Sequence, residues 1–137
     1  MEDNPFPSLE ILGLGYNGLT IESVSVLAYL PRLSQLDLTC NELSTLPDTD
    51  GFANLEKLSL RRNLFRDDAV IEQLARLPKL QVIDLSENGF VTIPTSLMDL
   101  DGSSSAPFEA LRFLDLGYNF FESQDSCLLY TSPSPRD

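Results

Sequence analysis

The chain has 137 residues, with nine Lys/Arg against 21 Asp/Glu, no His and two Cys. A net charge of −12 repels polyanions, which argues against nucleic acid and anionic membrane surfaces as partners. The length allows one domain. Without His no Ser/His/Asp or Cys/His nucleophilic centre can be assembled, and no apolar run approaches the ~20 residues that span a bilayer.

In chain order, an acidic, polar opening (Met1, Glu2, Asp3, Asn4, Pro5) carries no signal-peptide pattern, and Pro7 leads into the first strand. From there one eleven-residue frame recurs. It runs Leu9, Leu12, Leu14, Asn17, Leu19, then Leu33, Leu36, Leu38, Asn41, Leu43. It returns as Leu55, Leu58, Leu60, Asn63, Phe65, as Leu80, Ile83, Leu85, Asn88, Phe90, and as Leu111, Leu114, Leu116, Asn119, Phe121. The two middle apolar residues alternate as in a half-buried strand and so face one side. The Asn falls where the chain turns away, and its amide can both donate to and accept from buried backbone groups. An apolar residue precedes each frame by three: Phe6, Leu30, Phe52, Leu77 and Phe108. The frame, LxxLxLxxNxL, is the leucine-rich repeat signature. The expected fold is therefore an α/β leucine-rich repeat solenoid of five repeats. A parallel sheet lines its concave face, and its convex side mixes helical and irregular returns.

The returns differ in their breakers. Residues 20–30 place Ile21, Val24, Leu27, Ala28 and Leu30 at near-helical spacing, with Thr20 as N-cap and Pro31 as the stop. Residues 44–54 hold Pro47, Asp48, Asp50 and Gly51, which predicts an irregular or 3₁₀ crossing. Residues 67–77 read as the clearest helix, with Asp67 and Asp68 at its positive end and Arg76 at its negative end. Val70, Ile71, Leu74 and Leu77 form its apolar face, and Pro78 ends it. The fourth return brings Ile93, Pro94, Leu97, Met98 and Leu100. A Gly/Ser-rich insert at 101–107 follows and lengthens the step between asparagines to 31 residues.

No helix or hairpin before Phe6 covers the apolar end that a solenoid presents, so the first coil reads as internal to a longer protein. Residues 127–137 (CLLYTSPSPRD) match no frame and are similar, over all eleven positions, to the translation of a transposon-based sequencing adaptor. The domain boundaries are thus expected at 1–126 for an uncapped repeat domain and 127–137 for a read-through tail outside the fold. Cys40 is then the single genuine cysteine, which rules out an internal disulfide. The absence of the Cys-rich caps of secreted repeat proteins favours a reducing, intracellular compartment.

No cofactor or metal set emerges. Gly13 and Gly15 occupy outward strand positions rather than a phosphate loop, Cys40 lacks a ligand partner, and the acidic pairs read as solvated loop charge. What remains is the concave surface. Its rows run Ile11, Gln35, Lys57, Val82, Phe113; then Gly13, Asp37, Ser59, Asp84, Asp115; then Gly15, Thr39, Arg61, Ser86, Gly117; and last Tyr16, Cys40, Arg62, Glu87, Tyr118. The candidate partner-binding residues are Tyr16, Lys57, Arg61, Arg62, Phe113 and Tyr118. Aromatics mark both ends and cations the middle, and aromatics and Arg are the types enriched at hot spots. The expected partner is another protein presenting an acidic segment. A purely internal reading pairs Asp37 and Asp84 with Lys57 or Arg61 across the sheet.

The stretch NGLTIESV…LPRL…NELSTLP, from Asn17 to Pro47, followed by FANLEKLSLRRN, LPKLQVIDLSENGFVTIP and FEALRFLDLGYN, resembles the repeat region of the X-ray radiation resistance-associated protein family. The resemblance covers about residues 6–124 and implies a non-enzymatic intracellular repeat protein of the cytoplasm or nucleus. It carries over no ligand residues. The function expected is a protein-interaction scaffold. The alternatives are a regulatory subunit of an enzyme such as a protein phosphatase and a structural component of a cytoskeletal or ciliary assembly.

Overall fold

A computed structural model describes residues 6–98 and 108–121. The insert at 101–107 and the tail at 127–137 lie outside the described residues, as does Leu100. Five three-residue strands, β1 (Ile11–Gly13), β2 (Gln35–Asp37), β3 (Lys57–Ser59), β4 (Val82–Asp84) and β5 (Phe113–Asp115), form one sheet in chain order. Every neighbouring pair is parallel, and the register aligns Leu12, Leu36, Leu58, Ile83 and Leu114 across the sheet. The frame places these residues at the same step of every coil, so unequal returns between strands leave the register intact.

The returns cross behind the sheet. Helix α1 (Ile21–Ser25) passes into a 3₁₀ turn (Val26–Tyr29), and a second 3₁₀ turn occupies Thr49–Phe52. Helix α2 spans Ala69–Ala75, and a third 3₁₀ turn spans Thr95–Met98. Both helices are shorter than their apolar spacing suggests. The first tightens to 3₁₀ geometry after Ser25 because the chain has only a few residues to reach Pro31 and turn into the next strand. Thr20 is the N-cap residue, but its hydroxyl donates to Glu22 Oε1 at 3.3 Å rather than capping the backbone. At α2 the cap belongs to Asp67, whose Oδ1 accepts from the Ala69 N–H at 3.0 Å.

The core lies between sheet and returns. Leu36, Leu38, Leu43, Leu60, Phe65, Ile83, Leu85 and Phe90 are buried, several completely. Phe65 and Phe90 stack with ring planes 1° apart and centroids at 6.4 Å. Val70, Ile71, Leu74 and Leu77 bury the expected face of α2. Phe6 does not join them: it is 57% exposed, whereas Phe52 and Leu77, at the same place in inner repeats, are sandwiched between two coils.

The asparagines stitch coil to coil. Asn63 Nδ2 donates to Leu60 O and Arg61 O in its own coil and to Leu38 O in the coil before, and its Oδ1 accepts from the Leu43 N–H. Asn88 repeats the pattern on Leu60, Leu85 and Ser86, and takes the N–H groups of Asn63 and Phe65. Asn41, Asn63 and Asn88 are buried, and no buried side-chain N or O among the described residues lacks a partner.

Candidate functional site

With the middle residue of each strand turned toward the core, the flanking ones line an open concave trough of about 470 Å³. Its first row is Ile11, Gln35, Lys57, Val82 and Phe113, held in register by strand pairing. Ile11 and Phe113 stand exposed at its two ends, and Lys57 is exposed at its centre.

The second row is built differently from its sequence appearance. Asp37 Oδ1 accepts from the Thr39 N–H at 2.9 Å and from Thr39 Oγ1 at 2.6 Å. Asp84 Oδ1 takes the Ser86 N–H at 3.0 Å and Ser86 Oγ at 2.6 Å, and Asp115 Oδ1 takes the Gly117 N–H at 2.9 Å. Each carboxylate therefore closes the end of its own strand by a local turn. Ser86, expected on the surface, is buried and makes that bond.

The cations also depart from expectation. Arg61 pairs with Glu87 rather than with Asp37 or Asp84, its Nε donating to Glu87 Oε2 at 2.9 Å and its Nη2 to the same oxygen. Arg62 Nε lies 3.2 Å from Glu87 Oε1, so one carboxylate holds both guanidinium groups. The hydrogen bond that Arg61 donates to Glu87, and then the Glu87 charge, raises the Arg61 pKa above the ordinary value. Lys57 makes no ion pair among the described residues. The sequence rows placed Glu87 beside Arg62 but assigned Arg61 an Asp37 or Asp84 partner, because they did not show that the turn after β4 brings Glu87 against both guanidinium groups.

Tyr16, Cys40, Arg62, Glu87 and Tyr118, each just before the frame's Asn, share a left-handed backbone with φ between 56° and 63°. Only Gly adopts this region at no steric cost, so none of these residue types signals it. The repeated geometry fans their side chains along one rim of the trough, and Tyr16 and Tyr118 are exposed at its ends. The structure thus brings Lys57 and Phe113 onto the trough and Tyr16, Arg61, Arg62 and Tyr118 to its rim. A second open groove, which sequence reasoning passed over, carries Leu64, Val91 and Phe120 beside Arg66 and Asp67. Its signal is an exposed apolar residue one place after the Asn (Leu64, Phe120) or three places after it (Val91). No group of three or more His, Cys, Asp or Glu among the described residues could hold a metal ion.

Two leucine-rich repeat patterns match the sequence, one over residues 7–65 and one over 79–100. The chain is a leucine-rich repeat protein. It is 36% identical to Bos taurus lumican over 126 residues, 81% of this chain and 36% of lumican. It is 36% identical to Mus musculus Toll-like receptor 2 over 84 residues, 61% of this chain and 10% of the receptor. It is 32% identical to Mus musculus X-ray radiation resistance-associated protein 1 over 108 residues, 65% of this chain and 14% of that protein. This leucine-rich repeat chain therefore spans about a third of bovine lumican and less of the other two.

Proposed function

We propose that this leucine-rich repeat solenoid is a non-catalytic protein-interaction module that docks an acidic segment of a partner protein on its concave face. The observation that carries the reading is the trough. It is a sheet face in strict register that presents Ile11, Lys57 and Phe113 to solvent, while its carboxylates Asp37 and Asp84 are engaged in local turns. Tyr16 and Tyr118 extend the contact surface at the rim. Aromatic anchors beside a desolvatable cation are the composition of interface hot spots. The similarity to Toll-like receptor 2 and lumican agrees with a binding role.

The test is site-specific photo-crosslinking in cells that express the protein. A photoreactive residue at Phe113 or Tyr118 should capture a discrete partner. The same residue at Val26, exposed on the convex side, should not. Capture from Val26 alone would move the interaction off the concave face and end this reading.

A further inference from the structure

We propose that Lys57, and not the arginine pair beside it, reads a carboxylate in the partner, and that the occupant of the trough is an extended segment with an acidic residue flanked by apolar ones. The inference rests on concave docking and adds which cation is available and what shape of ligand it fits.

Three observations carry it. First, Arg61 and Arg62 already share Glu87, so an incoming carboxylate must compete with an intramolecular one that is positioned beside both. Second, the carboxylates of the adjacent row on the neighbouring strands, Asp37 and Asp84, are already engaged locally. Asp37 and Asp84 each spend an oxygen on the N–H and hydroxyl two residues onward, toward the C-terminal ends of the strands, whereas Lys57 begins β3. Third, the row that holds Lys57 ends in an apolar side chain on each side, although the polar Gln35 on β2 stands between Lys57 and Ile11. Val82 lies next to it on β4, Phe113 beyond on β5, and Ile11 two strands away on β1. Strands ~4.8 Å apart put Phe113 and Ile11 each roughly 10 Å from Lys57. A chain of extended or polyproline geometry advances ~3.1–3.4 Å per residue, so apolar side chains two or three residues either side of the acid reach those positions. The apolar contacts exclude water around the ammonium, which strengthens a charge pair that would count for little in solvent. The repulsion expected from a net charge of −12 is screened beyond ~8 Å at physiological ionic strength, so the local arrangement decides.

A phage-displayed library of random twelve-residue peptides, selected against the full chain, tests this. Enriched peptides should share a central Asp or Glu with apolar residues two or three places away. Synthetic copies should lose at least tenfold in affinity for Lys57→Glu and for Phe113→Ala. Arg32→Glu, an equal change of charge at an exposed position outside the trough, should leave binding within about twofold. Peptides sensitive to Phe113→Ala but indifferent to Lys57→Glu, or enriched in basic residues, would overturn the assignment of Lys57 while leaving concave docking in place. Peptides indifferent to both substitutions, or no enrichment at all, would overturn both. Circular dichroism of each variant separates loss of binding from loss of fold.

Discussion

Asn63 answers four backbone groups with one amide, three as donor and one as acceptor. A buried polar group left without a partner costs ~1–3 kcal/mol, and water can reach only some of these four. Asn63→Ala should therefore destabilise by about 2–4 kcal/mol in urea titration. Asn17→Ala, at an exposed position in the first repeat, should cost less than about 1 kcal/mol. Equal losses at the two sites would contradict a ladder that works by burial. The left-handed row gives a second residue-scale prediction. At Cys40, with φ 59°, Cys40→Val should destabilise by about 1–2 kcal/mol because a β-branched side chain clashes there. Cys40→Gly should be neutral or slightly stabilising, since Gly removes the clash but loosens the unfolded chain. Thermal unfolding of the two variants side by side measures the difference.

At the scale of elements, the convex side is shaped by how closely neighbouring returns approach. The second 3₁₀ turn lies so near the first that a Cβ on Gly51 would sit 2.4 Å from Ala28 Cβ and 2.9 Å from Ala28 O. Gly51 thus does more than break a helix: it is the close-contact point between two returns. Gly51→Ala should destabilise by about 1–3 kcal/mol, the usual range for overpacking. Gly13 has nothing within 4 Å of an added Cβ. Gly13→Ala, on the trough, should leave the unfolding midpoint unchanged or raise it slightly. A destabilising Gly13→Ala together with a silent Gly51→Ala would show that the packing of the returns is misplaced. The helices follow the same logic, because the length of each return and its closeness to the next decide where α-helix gives way to 3₁₀.

For the whole molecule, stability is a sum over coils and over the contacts between neighbours. Leu60 is fully buried between β2 and β4 coils, whereas Leu12 in the first coil is half-buried. Leu60→Ala should cost about 2–5 kcal/mol and Leu12→Ala clearly less, because an end coil relaxes into the space. Denaturant titration of both variants checks the gradient. By contrast, Glu87→Gln should change stability by less than about 1 kcal/mol, since the fork it makes with Arg61 and Arg62 is exposed. If Lys57 is the cation that meets the partner, that substitution frees two competing guanidinium groups and should broaden the set of acidic peptides the trough accepts.

The sequence by itself determined the five frames, the identity of the strands, their register and the structural duty of each Asn. These follow from a local period that repeats at the same step in every coil, so no knowledge of the intervening return is needed. Alternation along each strand also sorted core from solvent, with Leu36 and Leu58 buried and Lys57 exposed, but it did not foresee that Ser86 is buried. Only the tertiary structure decided which of the concave and rim residues were already engaged. Glu87 reaches Arg61 across 26 residues, Ala28 meets Gly51, and Asp84 turns back on Ser86 instead of across the sheet. Each outcome depends on how returns of unequal length bring turns of different coils together, and on local bonds that cost less ordering entropy than cross-strand pairs. Neither is encoded in the period that made the fold legible.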